Sequence, residues 1–292
     1  MNTAPRRIGI LGFGRIGRAV AANLRAAGFA VATLDRPSTR DFDGPRLADA
    51  AALAAGNDVV ISALANEAQM EEAFLGPAGL VAGAHEGLVV IEMGTFPVAL
   101  KQRLADALAT RGAAMIDVPI SGTAPVVAQR EAMLFVSGDD DDAIARVAPV
   151  LDAISTRQCR VGGFGAGMTT KLVANFLVIA NTLAVAEAMA MGTAAGLDAH
   201  KIIEAIEPSF AGSPVFGFRA PIMAERRYQP APGPARIMWK DLQYIRATSE
   251  AHDLPAPVLK TALEWYGRLI EQGRAEDESS SVYELLKRPT SS

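Results

Sequence analysis

Short apolar runs and longer helical stretches alternate along the first half of the chain. Each apolar run has the length of a buried strand, and the stretches between the runs show helical spacing. This alternation indicates right-handed βαβ units, and therefore a mostly parallel sheet with helices on both faces. The predicted strands are residues 8–11, 30–34, 58–62, 88–92, 114–117, 133–136 and 159–161, and the predicted helices include 15–27, 69–74, 98–109 and 142–154.

The pattern changes near residue 165. From there to about residue 195 the sequence predicts one long helix, and apolar residues within 258–270 recur with a helical period. Since no strand-like alternation returns, we expect an α/β domain, residues 1–163, followed by an all-α domain, residues 164–292, that includes the long joining helix. The polar segment after Gly273 is predicted to be a mobile link to a short last helix at 282–286.

Composition excludes several classes of protein. Half of the residues are hydrophobic and only 21% are charged, the opposite of a disordered chain. A net charge of −4 offers no general means of binding nucleic acid. A single cysteine, Cys159, cannot form an internal disulfide, which fits a reducing cytoplasm, and the first residues lack the apolar stretch of a signal peptide. We therefore expect a cytoplasmic protein.

The most apolar stretch, residues 172–186, raises the question of a membrane span. A spanning helix needs about 20 apolar residues, whereas this stretch is fifteen residues long and contains Asn175, Asn181 and Thr182. The sequence therefore predicts a buried helix and no membrane segment.

A glycine-rich turn follows the first predicted strand and opens the first predicted helix. In such a motif the first glycine allows a tight turn, the second lets a pyrophosphate approach the backbone, and the third lets helix and strand pack. The pyrophosphate then lies against the helix N-terminus. The α/β domain is thus predicted to be of the Rossmann type and to bind a dinucleotide through Gly12, Phe13, Gly14, Arg15, Ile16 and Gly17.

The end of the second predicted strand bears on the choice between NAD and NADP. Asp35 lies 18 residues beyond Gly17, close to the position of a carboxylate that binds the adenosine ribose and repels a 2′-phosphate. Arg36 and Arg40 follow it, and an arginine there can accept that phosphate, unless both are ordinary solvated charges. The sequence slightly favours NAD and leaves NADP open.

The long helix carries a lysine at an unusual place. Lys171 and Asn175 are four residues apart, so they lie on one face of a helix that is apolar for several turns. A lysine there either extends to solvent or is held in a cleft, where burial would make it useful as an acid or base.

Four motifs together resemble the β-hydroxyacid dehydrogenase family, which includes 3-hydroxyisobutyrate dehydrogenase and tartronate semialdehyde reductase, with 6-phosphogluconate dehydrogenase as a more distant relative. They are the glycine loop with Asn23-Leu24 behind it, Asp117-Val118-Pro119-Ile120-Ser121-Gly122, Gly165-x-Gly167-x-x-x-Lys171-x-x-x-Asn175, and Lys240-Asp241-Leu242. The motifs match in order across nearly the whole chain.

The resemblance implies roles for individual residues. Lys171 would be the catalytic acid/base, and Asn175 would hydrogen-bond the substrate. Lys240 would close the site from the helical domain, near the nicotinamide or the substrate carboxylate. Residues of the carboxylate-binding loop would be Ser121, Gly122 and Thr123, and Leu64 and Thr95 would lie beside the cofactor. The helical domains would form a homodimer or a homotetramer.

The chain also departs from the family pattern. Thr123 stands where the family has a second glycine, and Arg130 begins a tripeptide that replaces Gly-Thr-Leu. Arg130 either brings a cation toward the substrate or is a surface charge. The loop that contains Leu64 lacks a proline common in the family. These departures do not alter the residues to which the resemblance assigns the chemistry. They leave the identity of the substrate open.

The resemblance implies an NAD- or NADP-dependent oxidoreductase that interconverts a small 3-hydroxy acid and its semialdehyde, with no metal required. The three histidines are not at ligand spacing. A D-2-hydroxyacid dehydrogenase is disfavoured because its glycine loop lies in mid-chain. An NADPH-dependent imine reductase, a group that usually lacks the lysine at position 171, and a non-catalytic dinucleotide sensor stay open as alternatives.

Overall fold

A computed structural model describes residues 6–287 of the chain. The chain divides into two compact units, Met1–Lys171 and Leu172–Ser292. The first unit is an α/β sandwich and the second is helical. The division falls within the long helix, whereas the predicted domain boundary lies just before that helix.

The first unit is built around a nine-stranded sheet. Its strands are β1 (Arg7–Leu11), β2 (Ala30–Leu34), β3 (Arg46–Leu47), β4 (Val59–Ser62), β5 (Val89–Glu92), β6 (Ala114–Asp117), β7 (Ile120–Ser121), β8 (Met133–Ser137) and β9 (Arg157–Gly162). The order is β3-β2-β1-β4-β5-β6-β8-β7, and β9 pairs with β8. All seven predicted strands are confirmed. The two further strands, β3 and β7, are two residues long, too short to show any alternation in the sequence.

The sheet is parallel except where β8 meets β6 and β7. Helices cover both of its faces: α1 (Arg15–Ala26), α2 (Ala50–Gly56), α3 (Glu67–Leu75), α4 (Leu80–Gly83), α5 (Val98–Ala109), α6 (Ala124–Ala128) and α7 (Asp141–Ile154). Alternate strand residues point to opposite faces, so Ile61 belongs to one hydrophobic cluster and Val60 to the other. The start of α7 is capped by the Asp140 side chain, which accepts a hydrogen bond from the amide of Ala143.

The second unit is helical throughout its described residues. The long helix α8 (Ala166–Ala194) continues into it and is followed by α9 (Ala199–Ile206), α10 (Pro214–Glu225), α11 (Ala235–Ala251), α12 (Pro257–Glu271) and α13 (Tyr283–Leu286). The predicted order, an α/β Rossmann-type domain and then an all-α domain with a long joining helix, is therefore confirmed.

The segment after Gly273 differs from its prediction as a mobile polar link. Glu278 and the three serines after it are buried, and a short 3-10 helix, Ser279–Val282, leads into α13. The Glu278 carboxylate forms an ion pair with the buried guanidinium of Arg219 on α10. The prediction was wrong because Glu278, Ser279 and Ser280 form hydrogen bonds with one another inside the unit rather than with water, which the sequence does not reveal.

Among the described residues, α8 is the one helix long and apolar enough to span a membrane by length and composition. The core helix of a soluble protein passes the same test. In the most apolar 18-residue window of α8, 44% is buried within the structure.

Candidate active site

The loop after β1 has the steric features of a phosphate cradle. Gly12 has φ +99°, and a Cβ there would lie 2.5 Å from the carbonyl oxygen of Ala63. A Cβ on Gly17 would collide with the Gly12 carbonyl oxygen, so helix and turn can pack this closely only without one. Gly14 is the N-cap of α1 and supplies no side-chain cap, and a Cβ on it would meet nothing within 4 Å. The backbone is thus open at Gly14, the glycine at which the sequence predicts the approach of a pyrophosphate.

This cradle lies at the topological switch point of the sheet. β1 pairs with β2 on one side and β4 on the other, and ligands of open α/β sheets bind where the strand order reverses. Ala63 continues the pairing by donating its amide to the Leu11 carbonyl over 2.8 Å. Leu64 follows β4 and Thr95 follows β5, and both are half-buried. Because these strands are parallel, both residues lie at the same edge of the sheet as the cradle.

One further residue of the glycine motif, Phe13, has a defined aromatic contact. Phe13 packs edge-on against Phe42 with ring centroids 5.0 Å apart, and the guanidinium of Arg18 lies 4.9 Å from the Phe13 ring. Arg15 and Ile16 form the first turn of α1. The glycine turn is therefore packed against the loop that follows β2.

Asp35 stands just past the end of β2. Its carboxylate is 66% exposed and lies 3.8 Å from the Nε of Arg46. Arg36 donates its guanidinium to two carbonyl oxygens, those of Asp35 and Ala48. The cation that faces the Asp35 carboxylate is thus Arg46 on β3, a residue that sequence reasoning missed because β3 was not predicted.

The predicted substrate loop joins β7 to α6. Ser121 ends β7 and pairs with Met133 of β8, and Thr123 is the N-cap of α6. A Cβ on Gly122 would lie 2.9 Å from the Cβ of Ala132, so this glycine packs directly on the segment that departs from the family pattern. The side chain of Arg130 is exposed and donates to the backbone of α7, which makes it a surface charge.

A buried polar network lies beneath this edge of the sheet. Glu92 and Asp117 are register partners at the ends of β5 and β6, and Asp117 is in turn the partner of Ser137 at the end of β8. The Nζ of Lys101, on α5, forms ion pairs with both carboxylates. It also donates to the carbonyl oxygen of Gly94 over 2.7 Å. The Lys101 ammonium thereby has three oxygen atoms as partners, two carboxylates and one carbonyl, in a site with 0% exposure.

Burial and charge act in opposite directions in this network. Burial raises the pKa of the Glu92 carboxyl, although the Lys101 ammonium opposes that shift. Burial by itself would lower the pKa of the Lys101 amine, but the attraction of Glu92 and Asp117 outweighs it, and the pKa lies above its usual value. The lysine is therefore held in its charged form.

The same network receives the start of α8. The amide of Met168 donates to Asp117 Oδ2 over 2.8 Å, and the amide of Gly167 donates to Ser137 Oγ over 2.9 Å. These amides belong to the first turn, whose N–H groups have no partner within the helix. Lys171 lies one turn further along α8 and is 9% exposed.

In the second unit, Asn175 and the Lys240-Asp241 pair are brought together. The Nδ2 of Asn175 donates to Asp241 Oδ2 over 2.7 Å, and both residues are buried. The Nζ of Lys240 lies 3.4 Å from Asp241 Oδ1 and 5.3 Å from the centre of the Tyr244 ring. Asp241 thus contacts both Asn175 and Lys240. Its place in the Lys-Asp-Leu motif could have suggested this role.

Sequence reasoning missed the network around Lys101, although one signal was present. Lys101 lies on the same face of α5 as the buried Leu104 and Leu108, three and seven residues along. A lysine within an apolar helical stripe is a candidate for a buried ion pair. Among residues 6–287 there is no group of three histidine, cysteine or acidic side chains that could hold a metal ion.

Comparison with known families covers nearly the whole chain. Residues 7–163 match the family model described as the NAD binding domain of 6-phosphogluconate dehydrogenase. Residues 165–286 match the model described as NAD-binding of NADP-dependent 3-hydroxyisobutyrate dehydrogenase. The two matches meet at the start of the long helix.

Individual relatives agree with these matches. The chain is 31% identical to L-threonate dehydrogenase of Cupriavidus necator, over 96% of each protein. It is also 31% identical to the NAD-dependent L-serine dehydrogenase of Pseudomonas aeruginosa, over 96% of this chain and 98% of that protein. The crystal structure of 3-hydroxyisobutyrate dehydrogenase from Salmonella typhimurium is 27% identical and superposes with a TM-score of 0.86, covering 96% of this chain and 99% of the other.

Proposed function

Because this chain belongs to the β-hydroxyacid dehydrogenase family, we propose that it interconverts a small 3-hydroxy acid and its semialdehyde, with Lys171 as the acid/base. The family matches and the relatives make it an NAD(P)-dependent oxidoreductase that acts on CH–OH groups. Relatives that act on hydroxy acids favour this activity over imine reduction. In this proposal residues 1–163 form the cofactor-binding domain, and residues 164–292 form the domain for substrate binding and dimerisation.

The nicotinamide dinucleotide supplies or accepts the hydride when it is bound. The open backbone at Gly14 and the first turn of α1 would hold its pyrophosphate. Leu64 and Thr95 would border it at the same edge of the sheet. The carboxylate of Asp35 supports a preference for NAD, since it would bind a ribose hydroxyl and repel a 2′-phosphate. Arg36 and Arg46 are the two cations beside it that a 2′-phosphate would meet.

The observation that carries the proposal is the near-complete burial of Lys171 on a helix whose first turn is anchored. In the oxidising direction Lys171 would remove the hydroxyl proton of the substrate, and in the reducing direction it would protonate the forming alkoxide. A positive lysine in a cleft from which water is excluded also stabilises the developing oxyanion.

The other residues would orient the substrate. Ser121, Gly122 and Thr123 would hold its carboxylate, and Lys240 would add a positive charge from the second unit. Since the amide nitrogen of Asn175 is held by Asp241, its amide oxygen is the group that would accept a hydrogen bond from a substrate hydroxyl. Fixed orientation of this kind supplies part of the rate enhancement.

Replacement of Lys171 tests the acid/base role. We expect Lys171→Ala to lower kcat by about 10²- to 10⁴-fold, the usual contribution of a positioned acid or base, with cofactor binding retained. Steady-state kinetics and fluorescence titration with NADH measure the two quantities. Lys201→Ala, which removes an exposed lysine of α9, is the matched control. A variant at position 171 with the activity of the native enzyme would contradict the proposal.

A substrate panel tests the class of hydroxy acid. L-Threonate, L-serine, 3-hydroxyisobutyrate, glycerate and tartronate semialdehyde would each be assayed with NAD and NADP in the matching redox state. We expect turnover of at least one 3-hydroxy acid. A cyclic imine serves as the counter-substrate, and turnover of the imine alone would overturn the assignment.

We also propose a homodimer or homotetramer through the helical domain, in the cytoplasm. Along α8 within the second unit, one stripe of exposed residues recurs every three or four positions and is apolar except for Asn181: Val173, Leu177, Asn181, Ala184, Ala188 and Met191. The other exposed residues of this part of the helix are Glu187, which borders the stripe, and Ala194. Such a stripe has the spacing of a helix–helix contact. It supports a second copy of the chain, rather than lipid, as its partner. An exposed free thiol, Cys159, supports a reducing compartment.

A further inference from the structure

We propose that Lys101 is a positioning residue for the reaction, which sets the place of Lys171 by holding the start of α8 through Asp117. This inference rests on the acid/base role of Lys171. Lys101 lies on α5, outside the four motifs that carry the family resemblance, and it touches neither the glycine cradle nor the substrate loop in any contact described above. Its effect would therefore be indirect.

The contacts form a continuous chain from Lys101 to the catalytic helix. Lys101 Nζ donates to Asp117 Oδ1 over 2.7 Å, and Asp117 Oδ2 accepts the amide of Met168 over 2.8 Å. One carboxylate thus joins the lysine to the first turn of α8, in the place of a local N-cap. Lys171 follows Met168 by three residues, close to one helical turn. A rotation of Asp117 would therefore move the turn that carries Lys171.

A second arm of the network reaches the loop beside the proposed nicotinamide position. Lys101 donates to the Gly94 carbonyl, and the Gly94 amide donates to Glu92 Oε1, both over 2.7 Å. Gly94 directly precedes Thr95. The one ammonium group thus holds both the turn before Lys171 and the backbone before Thr95.

The position of this network argues for orientation rather than for stability. The network buries one lysine and two carboxyl groups completely, and burying an ion pair returns little net stability compared with apolar side chains of similar volume. What such a network does provide is a fixed geometry, since one buried ammonium contacts Glu92, Asp117 and the Gly94 carbonyl at once. A displacement of about 1 Å in catalytic groups can cost about 10²-fold in rate.

A double-mutant cycle between positions 101 and 171 tests the proposal. Lys101→Met, Lys171→Ala and the double variant would be compared by kcat at saturating substrate and cofactor, per mole of enzyme that binds NADH. If Lys101 acts through Lys171, its loss should lower kcat at least tenfold when Lys171 is present and less than twofold when Lys171 is absent. A purely structural role would lower kcat by the same factor in both backgrounds.

The outcomes separate the two proposals. A penalty at least threefold larger in the presence of Lys171 supports the inference, and a smaller ratio overturns it. If Lys171→Ala keeps the native kcat, the proposed function fails and this inference fails with it. If Lys171→Ala loses activity but the two penalties multiply, only the inference fails.

A milder variant covers the case in which Lys101→Met does not fold. Ser137→Ala removes the acceptor of the Gly167 amide and leaves the ion pairs in place, and we expect a three- to tenfold loss of kcat that again depends on Lys171. Asn57→Ala is the control, because Asn57 is also buried and hydrogen-bonded but precedes β4, at the opposite end of the strands. We expect it to lower the melting temperature and to leave the kcat of the folded enzyme unchanged.

Discussion

The two proposals rest on two lysines that lie on apolar helical faces, Lys171 and Lys101, and the sequence by itself points only to the first. Lys171 stands in a glycine-containing motif and could be singled out from the letters alone. Lys101 lies within an apolar helical stripe, and its importance depends on Glu92 and Asp117, which are nine and sixteen residues away along the chain. The strand register brings these carboxylates side by side. The surroundings of Asp35 are likewise hidden from the sequence. Its cationic neighbour, Arg46, lies on β3 and approaches it only because β3 pairs with β2.

Asp35 provides the prediction at this scale. We expect Asp35→Ala to weaken NADH binding by about tenfold or more and to leave NADPH binding nearly unchanged, because a hydrogen bond to a charged group contributes about 1.5–3 kcal/mol. Fluorescence titration with both cofactors measures the ratio. Asp43→Ala, which removes a fully exposed carboxylate of the same loop region, should change neither affinity. An equal loss for both cofactors would contradict the ribose assignment.

At the scale of elements, hydrophobic periodicity predicts the helices and most of the strands. It does not predict the structure of polar segments. The residues between α12 and α13 are polar enough to predict a solvated link, yet their amides and carboxylates are bound within the helical unit. Glu278 accepts the amide of Ser280 over 2.8 Å and pairs with Arg219. The Glu278 amide itself donates to the Tyr228 carbonyl over 3.0 Å. From Glu278 onward the segment is thus buried and hydrogen-bonded within the second unit.

The contribution of the ion pair between Arg219 and Glu278 to the free energy of unfolding can be measured. We expect Glu278→Gln to lower the free energy of unfolding by about 3 kcal/mol, because it leaves a buried guanidinium without its counter-charge. The double variant Arg219→Met, Glu278→Gln should recover part of that loss. Glu264→Gln breaks a half-exposed ion pair with Arg268 in the same unit and should cost less than about 1 kcal/mol. Urea unfolding checks all three, and equal losses for Glu278 and Glu264 would contradict the account.

At the scale of the whole molecule, the surface of the helical unit is the feature that the single chain leaves unexplained. Val173, Leu177 and Met191 are 57%, 55% and 71% exposed along one stripe of α8. Exposed apolar stripes of this length mark interfaces in soluble proteins. A second copy of the chain on this stripe, as proposed, would cover the part of α8 that the single chain leaves exposed.

The proposed interface can be tested by introducing one charged side chain into the exposed stripe of α8. We expect the native protein to have a mass of two or four times 30.6 kDa in solution. Leu177→Glu should weaken that assembly at least tenfold, because a carboxylate would be buried against an apolar partner. Light scattering coupled to size-exclusion chromatography measures the mass. Leu254→Glu alters an equally exposed leucine away from α8 and should have no effect; a monomeric native protein would refute the proposal.

The sequence by itself determined the order of elements and the glycine turn after β1, and it singled out Lys171 and the predicted substrate loop. These follow from local rules: hydrophobic periodicity, the steric needs of a turn, and short motifs whose members are close along the chain. Only the tertiary structure decided which residues, distant along the chain, contact these elements. The partners of Lys101, the cation beside Asp35 and the burial of Glu278 all depend on contacts between residues that are distant in sequence, and a buried charge is recognised only when its counter-charge is seen.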